Sequence, residues 1–207
     1  MHSRNEALEL PIKGPWALRI FACFAFAYFL SYAYRAVNAV ISPELVADLH
    51  ISNAQLGLLS AAYFFGFGAM QIPLGIAMDK FGARRTETVL LLIAFSGSLI
   101  FGYSDSLYGL MIGRFCIGVG VSACLMAAFT AYRRWFPIEQ QGQLASGMLM
   151  FGTMGALMTT VPIQVSLPWL GWRGVFYVMA AMVAIAYLGI RFGLPKFDDH
   201  PTKNNSE

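Results

Sequence analysis

Arg35 and Arg114 each stand inside a long apolar stretch of this sequence, where a charged group needs a reason to be. A mid-membrane arginine costs roughly 2.5–3.5 kcal/mol on insertion scales, so it faces a water-filled cavity, meets a partner, or snorkels back to the interface. Tyr28, Ser31, Tyr32, Arg35, Asn38 and Ser42 follow one another at helical spacing and share one face of a helix. The opposite face carries Phe24, Phe26, Ala27, Leu30 and Ala33 and suits lipid or helix packing. Such a stripe reads as the wall of a solute pathway, and Tyr63 and Gln71, eight residues apart, offer a second wall. With no Asp or Glu deep in an apolar stretch to neutralise them, the two guanidinium groups favour an anionic or polar organic solute. A guanidinium matches carboxylate and phosphate with paired hydrogen bonds. The candidate substrate-binding set is therefore Tyr28, Tyr32, Arg35, Asn38, Tyr63, Gln71 and Arg114. Other chemistry is not encoded. Cys23, Cys116 and Cys124 lie in apolar runs while His2, His50 and His200 lie outside them, so no metal or cofactor site can be drawn. Ser122 has neither a following glycine nor a histidine within an apolar run to act as its base, which argues against an intramembrane protease. The Met148, Met150, Met154 and Met158 stripe reads as packing.

The elements that hold these residues follow from composition. Of 207 residues, 57% are apolar and only 12% charged, too few charges to cover a water-soluble globule of this size. A soluble enzyme, a disordered chain and a nucleic-acid binder are excluded on that ground, and the expected solvent is a lipid bilayer. About 20 apolar residues cross a bilayer as a helix. Six such spans are predicted: Trp16–Ile41, Gln55–Met78, Thr86–Tyr103, Leu107–Tyr132, Gln143–Leu167 and Trp172–Phe192. Short connections separate them, including Ser42-Pro43-Glu44, Asp79-Lys80-Phe81-Gly82 and Trp135-Phe136-Pro137. Met1–Pro15 is a polar N-terminal segment without a cleavage pattern, 16–194 the transmembrane unit, and 195–207 a polar tail. Lys and Arg collect on the cytoplasmic side of membrane proteins. Arg4, Lys13, Arg19, Lys80, Arg84, Arg85, Arg133, Arg134, Arg191, Lys196 and Lys203 all fall on one side if there are six crossings. The opposite loops hold Glu44, Asp48, Asp105 and Arg173. Both termini are therefore expected in the cytoplasm. Small-residue pairs such as Gly109/Gly113, Gly118/Ser122 and Ser98/Gly102 permit close helix approach, and Gly147, Gly152, Gly155 and Pro162 offer bending points in the fifth span.

The connection after the second span reads Gly75-Ile-Ala-Met-Asp79-Lys80-Phe-Gly82-Ala-Arg84-Arg85. Gly82 supplies a permissive backbone at the bend, and Asp79, on the wrong end of a helix dipole, needs a positive partner. The spacing G-x3-D-[RK]-x-G-x-[RK]-[RK] resembles the signature loop of the major facilitator superfamily. Arg114-x-x-x-Gly118-x-Gly120 is similar to that superfamily's fourth-helix motif, and Gly171-Trp172-Arg173-Gly-Val-Phe176 to the start of its sixth helix. The resemblance runs from about Trp16 to Leu194 and corresponds to the N-terminal six-helix half.

That resemblance implies an all-α polytopic fold and secondary active transport by alternating access in the plasma (inner) membrane, with no cofactor. It implies that Gly75, Asp79, Lys80, Gly82, Arg84 and Arg85 form a gate that latches the cytoplasmic ends of two halves. Arg35 occupies a place similar to the first-helix arginine with which organic-anion and sugar-phosphate members hold substrate. Tyr34 stands where some anion–proton symporters carry an aspartate, and the fifth helix lacks the Gly-Pro pattern of drug–proton antiporters. A second six-helix half, from another copy or a separate chain, is an implied partner beside the small-molecule substrate and the bilayer. The alternative is a truncated or split gene product serving as a non-transporting membrane or scaffold subunit.

Overall fold

The computed structural model describes residues 15–194; the N-terminal segment before Pro15 and the tail 195–207 lie outside the described residues. The described chain is helical apart from short connections, as lipid demands of a backbone that must satisfy its own hydrogen bonds. The helices are α1 (Pro15–Leu49), α2 (Asn53–Tyr103), α3 (Leu107–Val121), α4 (Cys124–Trp135) and α5 (Ile138–Gly193). Four stretches are long and apolar enough to cross a membrane, with α3 and α4 acting as one. Ser122 and Ala123 between those two keep right-handed helical angles, so the step there is slight.

At 51 and 56 residues, α2 and α5 would each be about 75–85 Å long if straight, over twice the hydrocarbon thickness. Each is broken once. Gly82 takes φ 78°, ψ 165° and Gly171 takes φ 61°, ψ 170°, backbone conformations that a side chain disfavours. The Asp79-Lys80-Phe81 connection is thus helical up to the break at Gly82. The start of α2 is written locally as a capping box, Ser52 Oγ accepting from Gln55 N at 3.3 Å and Gln55 Oε1 accepting from Ser52 N at 2.7 Å.

The predicted connection at Ser42-Pro43-Glu44 is not a loop. α1 continues through Pro43 to Leu49. Proline removes one backbone donor, and the Ala39 carbonyl that loses it accepts instead from Ser42 Oγ at 2.9 Å. At 35 residues, α1 is about 52 Å long, longer than the hydrocarbon core is thick.

Packing is by small residues at helix crossings. A Cβ on Gly97 would fall 2.8 Å from Cys116 Cβ, and one on Gly113 would fall 2.8 Å from Phe101 Cβ. Gly118 lies against the Tyr63 carbonyl and Phe67 amide, and Gly120 against the backbone of Ala94. Gly152 faces the Tyr28 ring and Gly155 the Phe29 carbonyl, so these glycines of α5 seat α1. Phe24, Ala27, Leu30 and Ala33, expected to face lipid or packing, are buried in helix contacts. Of the methionine stripe only Met148 packs inside; Met150, Met154 and Met158 are exposed, because that face of α5 turns away from α1.

One end of the bundle is tied by Arg173, which meets Asp48 at 2.6 Å and Asp105 at 2.5 Å while Trp172 Nε1 donates to Asp48 at 2.9 Å. Donation from Arg173, then from Trp172, holds the Asp48 carboxyl below its ordinary range. A depressed folded value stabilises above the unfolded value and is lost as pH falls through the folded one. Acid titration of tryptophan fluorescence is therefore expected to show a transition below about pH 3.9, the unperturbed aspartate value, which Asp48→Asn lacks. A wild-type midpoint at or above that value would reject the assignment.

Candidate functional site

α1 packs mainly against α5 and presents Arg35 toward Phe67 of α2. The guanidinium carbon lies 4.8 Å from the Tyr32 ring centroid and 4.6 Å from that of Phe67, a cation held between two aromatic faces. Arg35 is half-buried, and its Nε is buried without a hydrogen-bond partner. Its charge also acts on the hydroxyls of Tyr28 and Tyr63. Tyr28 donates to Tyr32 across 3.4 Å, and Tyr63 donates to the Ser31 carbonyl at 3.4 Å. Tyr28, Tyr32, Arg35 and Tyr63 are thus brought together, with Phe67 added. Phe67 is four residues beyond Tyr63, and that spacing was the available signal for it.

Arg114 sits elsewhere. It is 1% exposed, inside the bundle, with Nη1 donating to the Tyr34 carbonyl at 3.0 Å and Nη2 to Asn38 Oδ1 at 2.5 Å. The Phe101 and Phe176 rings flank it at 5.1 and 5.4 Å, and these two stack at 4.1 Å. Asn38 is committed in turn, its amide donating to Ser60 Oγ at 2.8 Å. The second arginine ties α3 to α1 and fixes Asn38 next to the Arg35 turn. Gln71 folds back on its own helix, donating to the Phe67 carbonyl at 3.4 Å. Among the described residues neither Arg35 nor Arg114 pairs with a carboxylate, whereas Arg173 pairs with two.

The signature loop is built around the break. Gly82 is buried with Arg84, which donates from Nε to the Ile190 carbonyl at 3.4 Å and from Nη2 to the Arg191 carbonyl. Arg84 therefore closes the last turn of α5. Asp79, Lys80 and Arg85 are exposed at the same end, and Lys80 Nζ lies over the Phe81 ring at 5.4 Å. A Cβ on Gly75 would meet no atom within 4 Å.

One carboxylate at the edge of a predicted span is drawn inside the bundle. Glu87 is fully buried, and neither carboxyl oxygen has a hydrogen-bond partner. In the sequence it follows the basic pair Arg84-Arg85 and Thr86 and looks like a surface charge. The helix resumes directly after Gly82, which carries Glu87 more than a turn inward.

Against known families, the Major Facilitator Superfamily profile matches residues 24–207. The chain belongs to the Major Facilitator Superfamily. It is 30% identical over 155 residues to a probable sulfoacetate transporter of Cupriavidus necator, an alignment covering 75% of this chain and 36% of the relative. It is 27% identical over 158 residues to a nitrite extrusion protein of Bacillus subtilis, covering 76% and 39%. A probable galactarate/D-glucarate transporter of Escherichia coli is 26% identical over 189 residues, covering 86% and 41%. The chain thus spans about two fifths of the length of these superfamily relatives. It is a multi-pass membrane protein of a transporter superfamily.

Proposed function

We propose that this chain is the N-terminal half of a secondary carrier that moves a small organic anion by alternating access, completed by a second six-helix half. The breaks at Gly82 and Gly171 in the four long helical stretches support a reading with six crossings. The arginine-rich end, with Arg84, Arg85, Arg133, Arg134 and Arg191, faces the cytoplasm by the positive-inside rule, as do both termini, and the membrane is the plasma (inner) membrane. The observation that carries the reading is Arg35, a guanidinium held between Tyr32 and Phe67 with its Nε unpartnered. Its planar fork can take a carboxylate, phosphate or sulfonate in paired hydrogen bonds, with Tyr28, Tyr32 and Tyr63 around it. Arg114 and Asn38 hold that turn in place. The relatives are named for sulfoacetate, nitrite and galactarate/D-glucarate, all anions.

Gly75 supports the second half: with open space where its Cβ would be, the close approach it permits is to a helix outside this bundle. Exposed apolar faces on Phe65, Ile72 and Ile76 of α2 and on Leu157, Met158 and Val161 of α5 are available to that half and to lipid. Asp79 and the basic loop latch the two halves at the cytoplasmic end.

Thermal melts of the purified chain with sulfoacetate, nitrate and glucarate, against neutral mannitol, test the reading. A ligand at 100 times its Kd stabilises by about 2.7 kcal/mol, so at least one anion is expected to raise the melting temperature while mannitol does not. No shift with any anion, or an equal shift with mannitol, would remove the anion site. Uptake into proteoliposomes, with and without a co-expressed C-terminal half, tests the carrier; uptake in neither preparation returns the chain to a scaffold subunit. In that assay Asp79→Asn is expected to slow uptake more than it weakens binding, and equal losses would make Asp79 a folding residue.

A further inference from the structure

A cavity of about 650 Å³ opens between α2 and the end of α5, a volume within the roughly 300–1,000 Å³ of ligand sites. Among the described residues its walls include neither Arg35 nor the tyrosines around it. The two arms of α2 that meet at the Gly82 break build most of it. Before the break, Met70, Ala77 and Phe81 are spaced by seven and four and share one helical face. After it, Val89 continues the apolar lining. Val89 is 59% exposed and Phe81 48%, so the cavity opens on the outer surface of the bundle instead of being sealed in its core.

Charge gathers at one end of this wall. Arg84, Arg85 and Arg191 line the cavity, and no carboxylate does among the described residues. Arg84 is held by the Ile190 and Arg191 carbonyls, while Arg85 and Arg191 are exposed. The run from Met70 to Phe81 rises about 16 Å. One leaflet of hydrocarbon is about 15 Å thick, half of a ~30 Å core. The wall therefore leads from the arginines to the depth of a leaflet's end. A soluble anion would need no such apolar run, and a neutral tail would need no arginines. A phospholipid uses both. Anionic lipids populate the cytoplasmic leaflet, and basic pockets between helices on that side take their head groups.

We infer that this cavity holds an anionic phospholipid of the cytoplasmic leaflet. Its phosphate accepts hydrogen bonds from Arg85 and Arg191, and one acyl chain lies along Phe81, Ala77 and Met70. The inference takes the orientation of the arginine-rich end from the carrier reading, and needs neither an anion at Arg35 nor a second half.

Native mass spectrometry of the full chain in detergent, with phosphatidylglycerol or phosphatidylcholine of the same acyl chains, tests it. Phosphatidylglycerol is expected to bind at least tenfold more tightly, and inorganic phosphate to displace neither lipid. Arg85→Gln combined with Arg191→Gln is expected to abolish that preference. Arg133→Gln combined with Arg134→Gln removes two exposed arginines of the same end that do not line the cavity, and is expected to keep it. Val89→Trp fills the apolar wall at an exposed position, leaves every charge in place, and is expected to weaken phosphatidylglycerol at least tenfold. Equal binding of the two lipids, equal losses in the two arginine pairs, or unchanged binding by Val89→Trp would overturn the proposal. Release by inorganic phosphate would do the same and leave a phosphate site. Binding that appears only after truncation at Leu194 would give the cavity to the chain's own tail, and a dimer that excludes the lipid would give it to a second copy. No transported solute enters these measurements, so the lipid site can stand where the anion site fails, and the reverse.

Discussion

Gly118→Ala is expected to cost about 3 kcal/mol of stability and to shift the protein from a single peak in size exclusion toward aggregate. The added methyl would overlap the Tyr63 carbonyl and crowd the Phe67 amide, and backbone cannot swing aside as a flexible side chain can. Overpacking costs typically 1–3 kcal/mol and occasionally more, so a backbone contact belongs at or above the upper end. Native stabilities are only roughly 5–15 kcal/mol, which makes this one methyl a large fraction of the total. Gly75→Ala is the matched control. It stands in the other family motif, the loop after the second span, and no atom lies within 4 Å of the new Cβ. Alanine is favoured over glycine in a helix by up to about 1 kcal/mol, so the Gly75 variant is expected to melt at or slightly above the wild type. Melts of Gly118→Ala and Gly75→Ala that coincided would show that the crossing between α2 and α3 is not as drawn.

Arg35→Ala is expected to weaken anion binding at least 100-fold while the ligand-free melt changes little. Hydrogen bonds to a charged group are worth roughly 1.5–3 kcal/mol each, and two lost together exceed the ~2.7 kcal/mol of a 100-fold change in Kd. The structural contribution that disappears is the contact with the Tyr32 and Phe67 rings, about 0.5–2 kcal/mol. Arg35→Lys keeps the charge without the planar fork, and is expected to fall between the two. Titration of the anion that stabilises the wild type reads both variants. Equal binding by wild type and Arg35→Ala would move the anion site away from α1. A large fall in the ligand-free melt would instead make Arg35 a structural residue like Arg114.

Much of this was written in local sequence. Apolar length marked the spans, the capping box of Ser52 and Gln55 set the start of α2, and Gly82 and Gly171 stood where the helices break. The Gly113 and Gly118 positions identified crossing points before any crossing was seen. Pro43 misled, because the compensating bond from Ser42 to the Ala39 carbonyl is invisible as spacing. Arg35 and Arg114 looked alike in sequence, each a single guanidinium in an oily run. One is half-buried between aromatic faces and the other sealed against Tyr34 and Asn38. Glu87 and the exposed Asp79 differ in the same way: both adjoin the basic loop, and only one is drawn inside.

The division has a physical origin. In lipid every backbone N–H and C=O must bond within its own segment, so helix, length and break depend on residues a few positions apart and can be read along the chain. Whether a side chain meets water, lipid, a ring or nothing depends on how far its helix is turned about its axis. That rotation was decided at the crossings, where glycines let backbones touch, and it separated the half-buried arginine between two rings from the arginine that holds the bundle.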